Sequence, residues 1–440
     1  MTTRIEGARI WTGERVVDDG WIEIEDGRIA ALGETASDGP CTGERIDGTG
    51  KLAIPGLVNA HTHLYSSLAR GMAVSGYAPA SFGEILEQLW WRLDKALDLN
   101  GVRYSGLIGA MEAARCGVTT LIDHHASPHA VRGSLDRLRE GVCDELGLRG
   151  SFAYEVSDRD GRESCAAGIE ENAVFLEARR DAERCSGLFG VHASFTVSDA
   201  TLDAIAERLD DEAGIHIHVA EGPEDEASSL RHDGLRVVER LDRFGLLRPR
   251  SVLVHCLHVN EREKDLLRDR DVIVVHNPRS NMNNAVGRFD LAGLLHRGIL
   301  CGLGTDGLGA NMLGELFTAA LLQKHSTHNA MAGSFDQLGA LLFDGNRAIV
   351  ERLFGVQVGR LEPGWAADLV LLDYEPPTPL RGENALGHLL FGNAVHTLRV
   401  ADVMVAGRWI LRDTRFVDLD EAAIYARGRE EAAKLWAKIG

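Results

Sequence analysis

Residues 52–63 read Leu-Ala-Ile-Pro-Gly-Leu-Val-Asn-Ala-His-Thr-His, an apolar run that ends in two histidines separated by one residue. The run is typical of a buried strand over Leu52–Ala60. Because alternate residues of a strand point to the same face, His61 and His63 are expected to lie side by side. Two imidazoles placed in this way can bind one cation.

Three further polar pieces follow apolar runs in the same way. They are His218-Val219-Ala220-Glu221 after Gly214–Ile217, His255 after Ser251–Val254, and Thr305-Asp306-Gly307 after Ile299–Gly304. Taken singly, each piece has an ordinary interpretation as a turn or as a core histidine. The combination, always at the end of an apolar run, instead predicts a metal site held by His61, His63, His218 and Asp306. Three imidazoles and one carboxylate leave a position open for water, which is typical of a catalytic metal.

The middle of the chain alternates strand and helix patterns. Four more strands are predicted at Val118–Asp123, Leu148–Glu155, Leu188–Ala193 and Asp271–His276. Helical patterns lie between the strands, at Tyr104–Cys116, Leu135–Leu146, Leu202–Leu209, Leu235–Phe244 and Glu261–Leu267. Eight strands, each followed by a helix, predict the α/β class and a (β/α)8 TIM barrel. In such barrels the active site gathers at the carboxyl ends of the strands, where the candidate ligands fall.

The sequence pattern at both ends of the chain differs from that of the middle. Short alternating apolar and polar segments with frequent Gly and Asp occupy the ends and predict antiparallel strands with tight turns. We therefore expect a small β-sandwich built from residues 1–55 and 359–418, around a barrel at 56–358, with a C-terminal helix at 419–440. Residues 65–100 form an insertion after the first barrel strand. The insertion is either a lid over the site, in which Trp90 contacts substrate, or a helical hairpin whose tryptophans belong to the core.

Charge and cysteine usage exclude some classes of function. The chain has 440 residues, with 47 basic and 66 acidic side chains and a net charge of −19, which argues against nucleic acid or an anionic membrane surface as a partner. No uncharged apolar run approaches the roughly 20 residues of a membrane span. Seven dispersed cysteines without a Cys-x-x-Cys motif suggest reduced thiols and a cytoplasmic location.

Several motifs along the chain resemble the amidohydrolase superfamily. They are Ile54–His63, Gly117-Val118-Thr119-Thr120, His218-Val219-Ala220-Glu221, Leu303–Gly307 and Leu361–Leu369. Within the superfamily the chain is similar to the aminohydrolase branch that includes chlorohydrolases and adenosine-type, guanine and 8-oxoguanine deaminases. The nearest resemblance is to SsnA-type aminohydrolases, through Leu89–Asp94, Asp123–Pro128 and His276–Asn284. The segment Met282–Gly287 departs from the pattern of many deaminases of this branch.

The resemblance bears on the number of metal ions. Binuclear members of the superfamily bridge two cations with a carbamylated lysine, usually on the fourth strand. This chain has six lysines, none at the end of a predicted barrel strand, and His192 stands on the fourth strand instead. We therefore expect one divalent metal, and the ligand set suits Zn²⁺ while Fe²⁺ also accepts it.

Roles for the other residues follow from their positions and from the resemblance. Glu221 is expected to act as general acid toward a ring nitrogen, His255 to orient the attacking water, and Asp306 to accept a proton from it. Substrate contacts are predicted for a second group, namely His192, His125, Arg279, Asn281 and Trp90. Two of these have alternatives: His192 as a structural histidine, and Arg279 as a partner in a salt bridge at a strand end.

The sequence thus predicts a metal-dependent hydrolase that deaminates a cyclic amidine in a small heterocycle. A purine, a pterin or a similar ring is expected, and the SsnA-type resemblance favours a purine. The alternative is removal of chloride or an alkylamine by the same site. A non-catalytic relative is disfavoured because every ligand position and Glu221 are present. The resemblance leaves a homodimer or higher homo-oligomer open.

Overall fold

The structure is a computed structural model that describes residues 2–34, 43–179, 183–210 and 212–439. The chain begins with five strands outside the barrel. They are β1 (Thr2–Trp11), β2 (Val16–Glu25), β3 (Arg28–Glu34), β4 (Glu44–Asp47) and β5 (Lys51–Pro55). The predicted strand Leu52–Ala60 is therefore divided. Gly56 marks the division: its N–H donates to the Asp368 carbonyl over 2.9 Å, and a Cβ at Gly56 would lie 2.4 Å from the Thr119 side chain.

Nine parallel strands follow within the described residues and build the barrel. They are β6 (Leu57–Thr62), β7 (Val118–His125), β8 (Arg149–Tyr154), β9 (Cys185–Gly187), β10 (Phe189–Ala193), β11 (Ile215–Val219), β12 (Val252–His255), β13 (Ile273–His276) and β14 (Leu300–Leu303). All eight predicted strands are represented, and β9 is a short addition before β10.

Hydrogen bonding divides these strands into two sheets that meet at both edges. The orders are β6-β7-β8-β9 and β10-β11-β12-β13-β14. A bridge between Val156 and Val191 connects the two sheets on one side, and a bridge between Thr62 and Asp306 connects them on the other. Every pairing is parallel, which gives the strand arrangement of a (β/α)8 barrel.

Helices surround the strands. They are α1 (Phe82–Ile85), α2 (Trp91–Ala96), α3 (Leu99–Arg115), α4 (Ser134–Arg139), α5 (Arg162–Ala178), α6 (Asp199–Arg208), α7 (Pro223–Asp233), α8 (Val237–Arg243), α9 (Glu261–Asp269), α10 (Pro278–Asn283), α11 (Leu291–His296), α12 (Met312–Thr327), α13 (Phe335–Gly339), α14 (Asn346–Phe354), α15 (Ala385–Ala394) and α16 (Glu421–Ile439). Short 3₁₀ helices lie at Leu64–Ala69, Ser194–Thr196 and Gly382–Asn384, and π-helical turns at Leu86–Trp90, Glu140–Leu146 and Ala340–Gly345. Among the described residues, none of the helices combines the length and apolar character that crossing a bilayer requires.

The chain then returns to the first five strands. The returning strands are β15 (Leu369–Asp373), β16 (Arg399–Val405), β17 (Arg408–Arg412) and β18 (Arg415–Phe416). Strand β15 pairs antiparallel with β5, so the strands of both ends form one nine-stranded sheet rather than two separate sheets. Residues from the two ends, such as Ile22 and Leu371, pack in a single apolar cluster inside this sheet.

A buried ion pair helps to join the small sheet to the barrel. Arg149 begins β8, and its guanidinium lies 3.4 Å from the Asp368 carboxylate; both side chains are almost completely buried. The same carboxylate accepts a hydrogen bond from the backbone N–H of Ala406 over 2.8 Å. A buried charge needs such partners because leaving it unpaired is costly.

The insertion after β6 and helix α16 pack against each other. Trp436 on α16 donates its indole N–H to the Leu68 carbonyl over 2.8 Å, and the Lys438 ammonium donates to the Ala96 carbonyl over 2.7 Å. Arg92 of the insertion donates to the carbonyl of Ile439. The insertion therefore has a fixed support at its base.

Six of the cysteines lie in the described residues, and all six are free thiols, as the sequence predicts: Cys116, Cys143, Cys165, Cys185, Cys256 and Cys301. Cys41 lies outside the described residues.

We predict that Gly304→Ala destabilises the fold. A Cβ at Gly304 would lie 2.7 Å and 2.8 Å from backbone atoms of His61, so β6 and β14 must move apart. Overpacking of this kind costs about 1–3 kcal/mol in the free energy of unfolding. Thermal and denaturant unfolding measure the loss. Gly339→Ala is the matched control, because its Cβ would have no neighbour closer than 4.0 Å and its backbone is helical. Equal stability of the two variants would contradict close contact between β6 and β14.

Candidate active site

Four side chains converge at the carboxyl ends of the barrel strands. The Nε2 atoms of His63 and His218 lie 3.2 Å apart, and Oδ1 of Asp306 lies 3.0 Å from His63 Nε2. His61 Nε2 lies 3.8 Å from the same oxygen. The four candidate ligand atoms all lie within 4.8 Å of one another, and all four residues are buried. The structure therefore brings together the four metal ligands that the sequence predicts.

The other ring nitrogen of each histidine has a partner. His63 Nδ1 donates to the His124 carbonyl over 2.6 Å, and His218 Nδ1 donates to the His192 carbonyl over 2.9 Å. His61 Nδ1 lies 2.9 Å from Nε2 of His216. These contacts leave the Nε2 lone pairs turned toward one point, which is the arrangement of metal-binding histidines.

The site fits a divalent metal. The Nε2 atom of His61 is buried and has no hydrogen-bond partner. Such an atom is rare in a folded protein and points to a ligand. Three imidazole nitrogens and one carboxylate oxygen match the donor set of Zn²⁺ and also of Fe²⁺. None of the six lysines lies on a barrel strand, so a bridging lysine is absent from this site.

The charges of the four residues follow from burial and from their mutual contacts. Burial lowers the pKa of His61 to about 4 and that of His218 well below its usual value. Burial also acts to lower the pKa of His63, but the hydrogen bond to Asp306 and the negative charges of Asp306 and Glu155 together raise this pKa to about 9. Burial opposes ionisation of Asp306, yet the contact with His63 at 3.0 Å and the other imidazoles around the carboxylate hold its pKa well below the usual range. Asp306 is therefore a carboxylate at neutral pH.

A carboxyl group and a further imidazole lie beside the ligands. His255 Nε2 lies 3.4 Å from Oε2 of Glu221 and 3.5 Å from Oδ2 of Asp306. Burial raises the pKa of Glu221 above its usual value, which favours the protonated carboxyl group. Asn284 donates to the other Glu221 oxygen over 3.2 Å. The three predicted catalytic residues are thus neighbours.

The backbone at these strand ends is strained. The residues Ala220, His255, Cys256 and Asp306 all have φ between 47° and 72°. Residues other than glycine rarely adopt this left-handed region, and such strain clusters at active sites. The Asp225 side chain accepts hydrogen bonds from the backbone N–H groups of Ala220 and Phe195 and so holds the chain around Glu221.

A cavity opens above the four ligands. Its walls come from the barrel and from the insertion, and include Phe82, Leu86, Trp90, Trp91, Asp94, Glu155, His192, Phe195, Glu221 and Asn284. Trp90 packs so closely on Gly307 that a Cβ there would lie 2.5 Å from the indole ring. Residues of the insertion therefore form one wall of the cavity.

The five predicted substrate contacts have different surroundings. Trp90 and His192 line the cavity. Asn281 does not line it; its side-chain oxygen lies 2.8 Å from Nδ1 of His255 and so orients that ring. His125 is buried, does not line the cavity and bonds to the Ser127 hydroxyl over 2.9 Å.

Arg279 turns away from the cavity. Its guanidinium lies 3.5 Å from the Glu315 carboxylate and 3.3 Å from the Thr318 hydroxyl, both on α12. This is the alternative that the sequence leaves open for Arg279, an ion pair at a strand end. Burial raises the pKa of Glu315 to about 8, and the nearby Arg279 guanidinium acts against this shift.

Sequence reasoning assigned no role to several residues of the site. Asn284, Asp225 and Asp94 come from segments whose apolar pattern carries no signal about the cavity. For His216 a signal was present, because His216-Ile217-His218 repeats the spacing of His61-Thr62-His63.

Comparison with known proteins places this geometry in a family. The family model described as the amidohydrolase family matches residues 52–410. The chain belongs to the amidohydrolase family. This membership confirms the predicted superfamily, the α/β barrel class and the class of hydrolytic aminohydrolases. The family is metal-dependent, and the His/Asp cluster of this chain could bind a metal.

Two relatives are similar over nearly their whole length. A 5'-deoxyadenosine deaminase of Methanothermobacter thermautotrophicus is 33% identical, with 96% of this chain and 98% of the relative covered. A 5-methylthioadenosine/S-adenosylhomocysteine deaminase of Nitratidesulfovibrio vulgaris is 34% identical, with 96% and 93% covered.

Solved structures share the fold. An adenosine deaminase from Xanthomonas campestris with bound zinc has a TM-score of 0.84 at 25% identity, with 98% of each chain covered. An atrazine chlorohydrolase from Arthrobacter aurescens with zinc has a TM-score of 0.81 at 22% identity, with 98% of this chain and 100% of that chain covered. The second similarity concerns the fold alone.

We predict that the purified protein carries about one divalent metal per chain and that His218→Ala loses most of it, because one of four ligand atoms is removed. Elemental analysis after gel filtration measures the metal content. His296→Ala is the control, because His296 is exposed on α11, outside this site, and this variant should keep the metal of the unchanged protein. Full metal content in His218→Ala would contradict the ligand assignment.

Proposed function

We propose that this protein is a zinc-dependent aminohydrolase that removes the 6-amino group of an adenine nucleoside as ammonia. The observation that carries the proposal is the contact of His255 with both Glu221 and Asp306, at 3.4 Å and 3.5 Å, beside the four candidate ligands. The relatives named as deaminases of 5'-deoxyadenosine and of 5-methylthioadenosine support the adenine nucleoside as substrate class.

The metal would be held by His61, His63, His218 and Asp306. When bound there, Zn²⁺ acts as a Lewis acid that makes water a nucleophile near neutral pH. The adenosine deaminase with bound zinc supports this choice of metal.

Glu221 supplies the proton that the amidine needs. The amino-bearing carbon of adenine is a weak electrophile until the adjacent ring nitrogen is protonated. Burial keeps a proton on Glu221 to higher pH than in water, and Asn284 fixes the carboxyl group by a hydrogen bond to its other oxygen. Proton transfer from Glu221 to the ring nitrogen therefore prepares the carbon for attack.

Asp306 and His255 act on the attacking water. Asp306 is ionised and can accept the proton that the water loses, while Ser280 and the N–H of Gly307 hold its two oxygens in place. His255 is oriented by Asn281, so its Nε2 faces Glu221 and Asp306. The tetrahedral carbon then expels its amino group, which leaves as ammonia after it receives a proton. The product carries a carbonyl oxygen where the amino group stood.

The upper part of the cavity would hold the rest of the substrate. Trp90 and Trp91 offer aromatic faces against which a planar ring can stack. His192, on β10, lines the cavity, and its Nδ1 bonds to the Thr196 hydroxyl over 2.9 Å. We propose Trp90 and His192 as substrate contacts. We also propose a role in purine metabolism in the cytoplasm, a location that the free thiols support.

We predict that the zinc-loaded protein releases ammonia from an adenine nucleoside and that Glu221→Gln lowers the rate by about 10²–10⁴, because an amide cannot donate the proton. Ammonia release is measured against adenosine, 5'-deoxyadenosine, 5-methylthioadenosine, guanine, pterin, chlorotriazine and alkylaminotriazine substrates. Glu207→Gln, at an exposed position on α6, is the matched control and should keep the full rate.

The panel also separates the proposal from its alternative. Release of chloride or alkylamine from a triazine, with no ammonia from any adenine nucleoside, would replace deamination by the chlorohydrolase-like reaction. Unchanged ammonia release by Glu221→Gln would remove Glu221 from the mechanism.

A further inference from the structure

His216 lies directly beneath the four candidate ligands. It precedes His218 by two residues on β11, so both side chains point to the interior of the barrel, and His216 lies one layer deeper. Its Nε2 atom lies 2.9 Å from Nδ1 of His61. No step proposed above uses this residue.

The partner of His61 differs in kind from the partners of the other two imidazoles. His63 and His218 donate to the backbone carbonyls of His124 and His192, which the strands themselves fix in place. The partner of His61 is a side chain. The orientation and tautomer of His61 therefore depend on one replaceable residue.

The surroundings of His216 fix its ring. His124 stacks on it, with ring centroids 4.3 Å apart and an angle of 13° between the planes. Both rings are completely buried.

The hydrogen-bond balance of His216 favours one tautomer. When His61 binds a cation through Nε2, its Nδ1 carries the hydrogen and donates to Nε2 of His216. His216 then carries its own hydrogen on Nδ1, and this atom has no hydrogen-bond partner. A buried donor without a partner costs about 1–3 kcal/mol. The chain keeps His216 despite this cost, so we expect the contact between His216 and His61 to serve the metal site.

We propose that His216 is a positioning residue for the metal: it accepts the Nδ1–H of His61 and thereby keeps the Nε2 lone pair of His61 aimed at the cation. The inference rests on the metal dependence of the proposed function but not on the identity of the substrate. Outer partners of metal-binding histidines typically contribute about 10–100-fold to metal affinity. We expect a loss of this size when the acceptor at position 216 is removed.

The test is a matched series of variants at position 216. In His216→Gln the amide oxygen reaches the place of Nε2, whereas in His216→Asn the same amide is one carbon shorter and does not reach His61. His216→Leu removes every acceptor. The Kd of Zn²⁺ is measured by competition with a chromogenic chelator, without any substrate. We expect the Kd of His216→Gln to stay within a few-fold of that of the unchanged protein. In His216→Asn and His216→Leu the Kd should rise by about 10–100-fold.

A second measurement separates positioning from folding. The thermal unfolding midpoint of each variant is recorded in excess chelator. His276→Leu is the control, because His276 is a buried barrel histidine that stacks on Phe289 at 4.4 Å and contacts none of the four ligands. Its stability should change while its Zn²⁺ affinity does not.

Three results would overturn the proposal. One is equal Zn²⁺ affinity in Gln, Asn and Leu variants. Another is an affinity loss that follows the loss of apoprotein stability across all variants, His276→Leu included. The third is a second bound Zn²⁺ per chain that disappears in His216→Leu, which would make His216 a ligand. Failure of the unchanged protein to bind Zn²⁺ would instead overturn the metal dependence in the proposed function.

Discussion

The contact between the first and last barrel strands is the constraint on which the site depends. The backbone N–H groups of Thr305 and Asp306 both donate to the carbonyl of His61, over 2.9 Å and 3.1 Å. Asn59 reinforces this contact through a side-chain bond to the Thr305 hydroxyl over 2.7 Å. These bonds bring a carboxylate from one end of the barrel sequence against two imidazoles from the other. Gly304 allows the approach, because no larger residue fits between the strands.

The charges of such a deeply buried site must also be compensated by nearby charges of opposite sign. The Asp306 carboxylate compensates for the positive charge that His63 or a bound cation brings into the barrel. Glu221 lies on the other side of His255, and burial there favours its neutral form. The environment therefore shifts the pKa values of these two carboxyl groups in opposite directions, an arrangement that is typical of acid–base catalysis. The barrel thus separates the two roles by environment rather than by residue type.

Much of this arrangement could be predicted from the sequence because it depends on local periodicity. The alternation of side chains along a strand placed His61 and His63 on one face, and apolar runs located the eight barrel strands. The division of the first run at Gly56 was missed, since it depends on a contact with Thr119 that lies far along the chain. The direction of Arg279 depends on Glu315 in the same way. Residues that line the cavity, such as Asp94 and Asn284, come from segments that meet only after folding.

The nine-stranded sheet has a consequence for the order of assembly. Strands β1–β5 leave the ribosome before any barrel strand, yet β5 finds its partner β15 only after the whole barrel has been made. Helix α16, which supports the insertion over the site, is made later still. Nascent chains fold as their segments emerge, so the open edge of β5 is exposed throughout synthesis. The contacts of α16 with the insertion over the active site can therefore form only after the rest of the chain has been made.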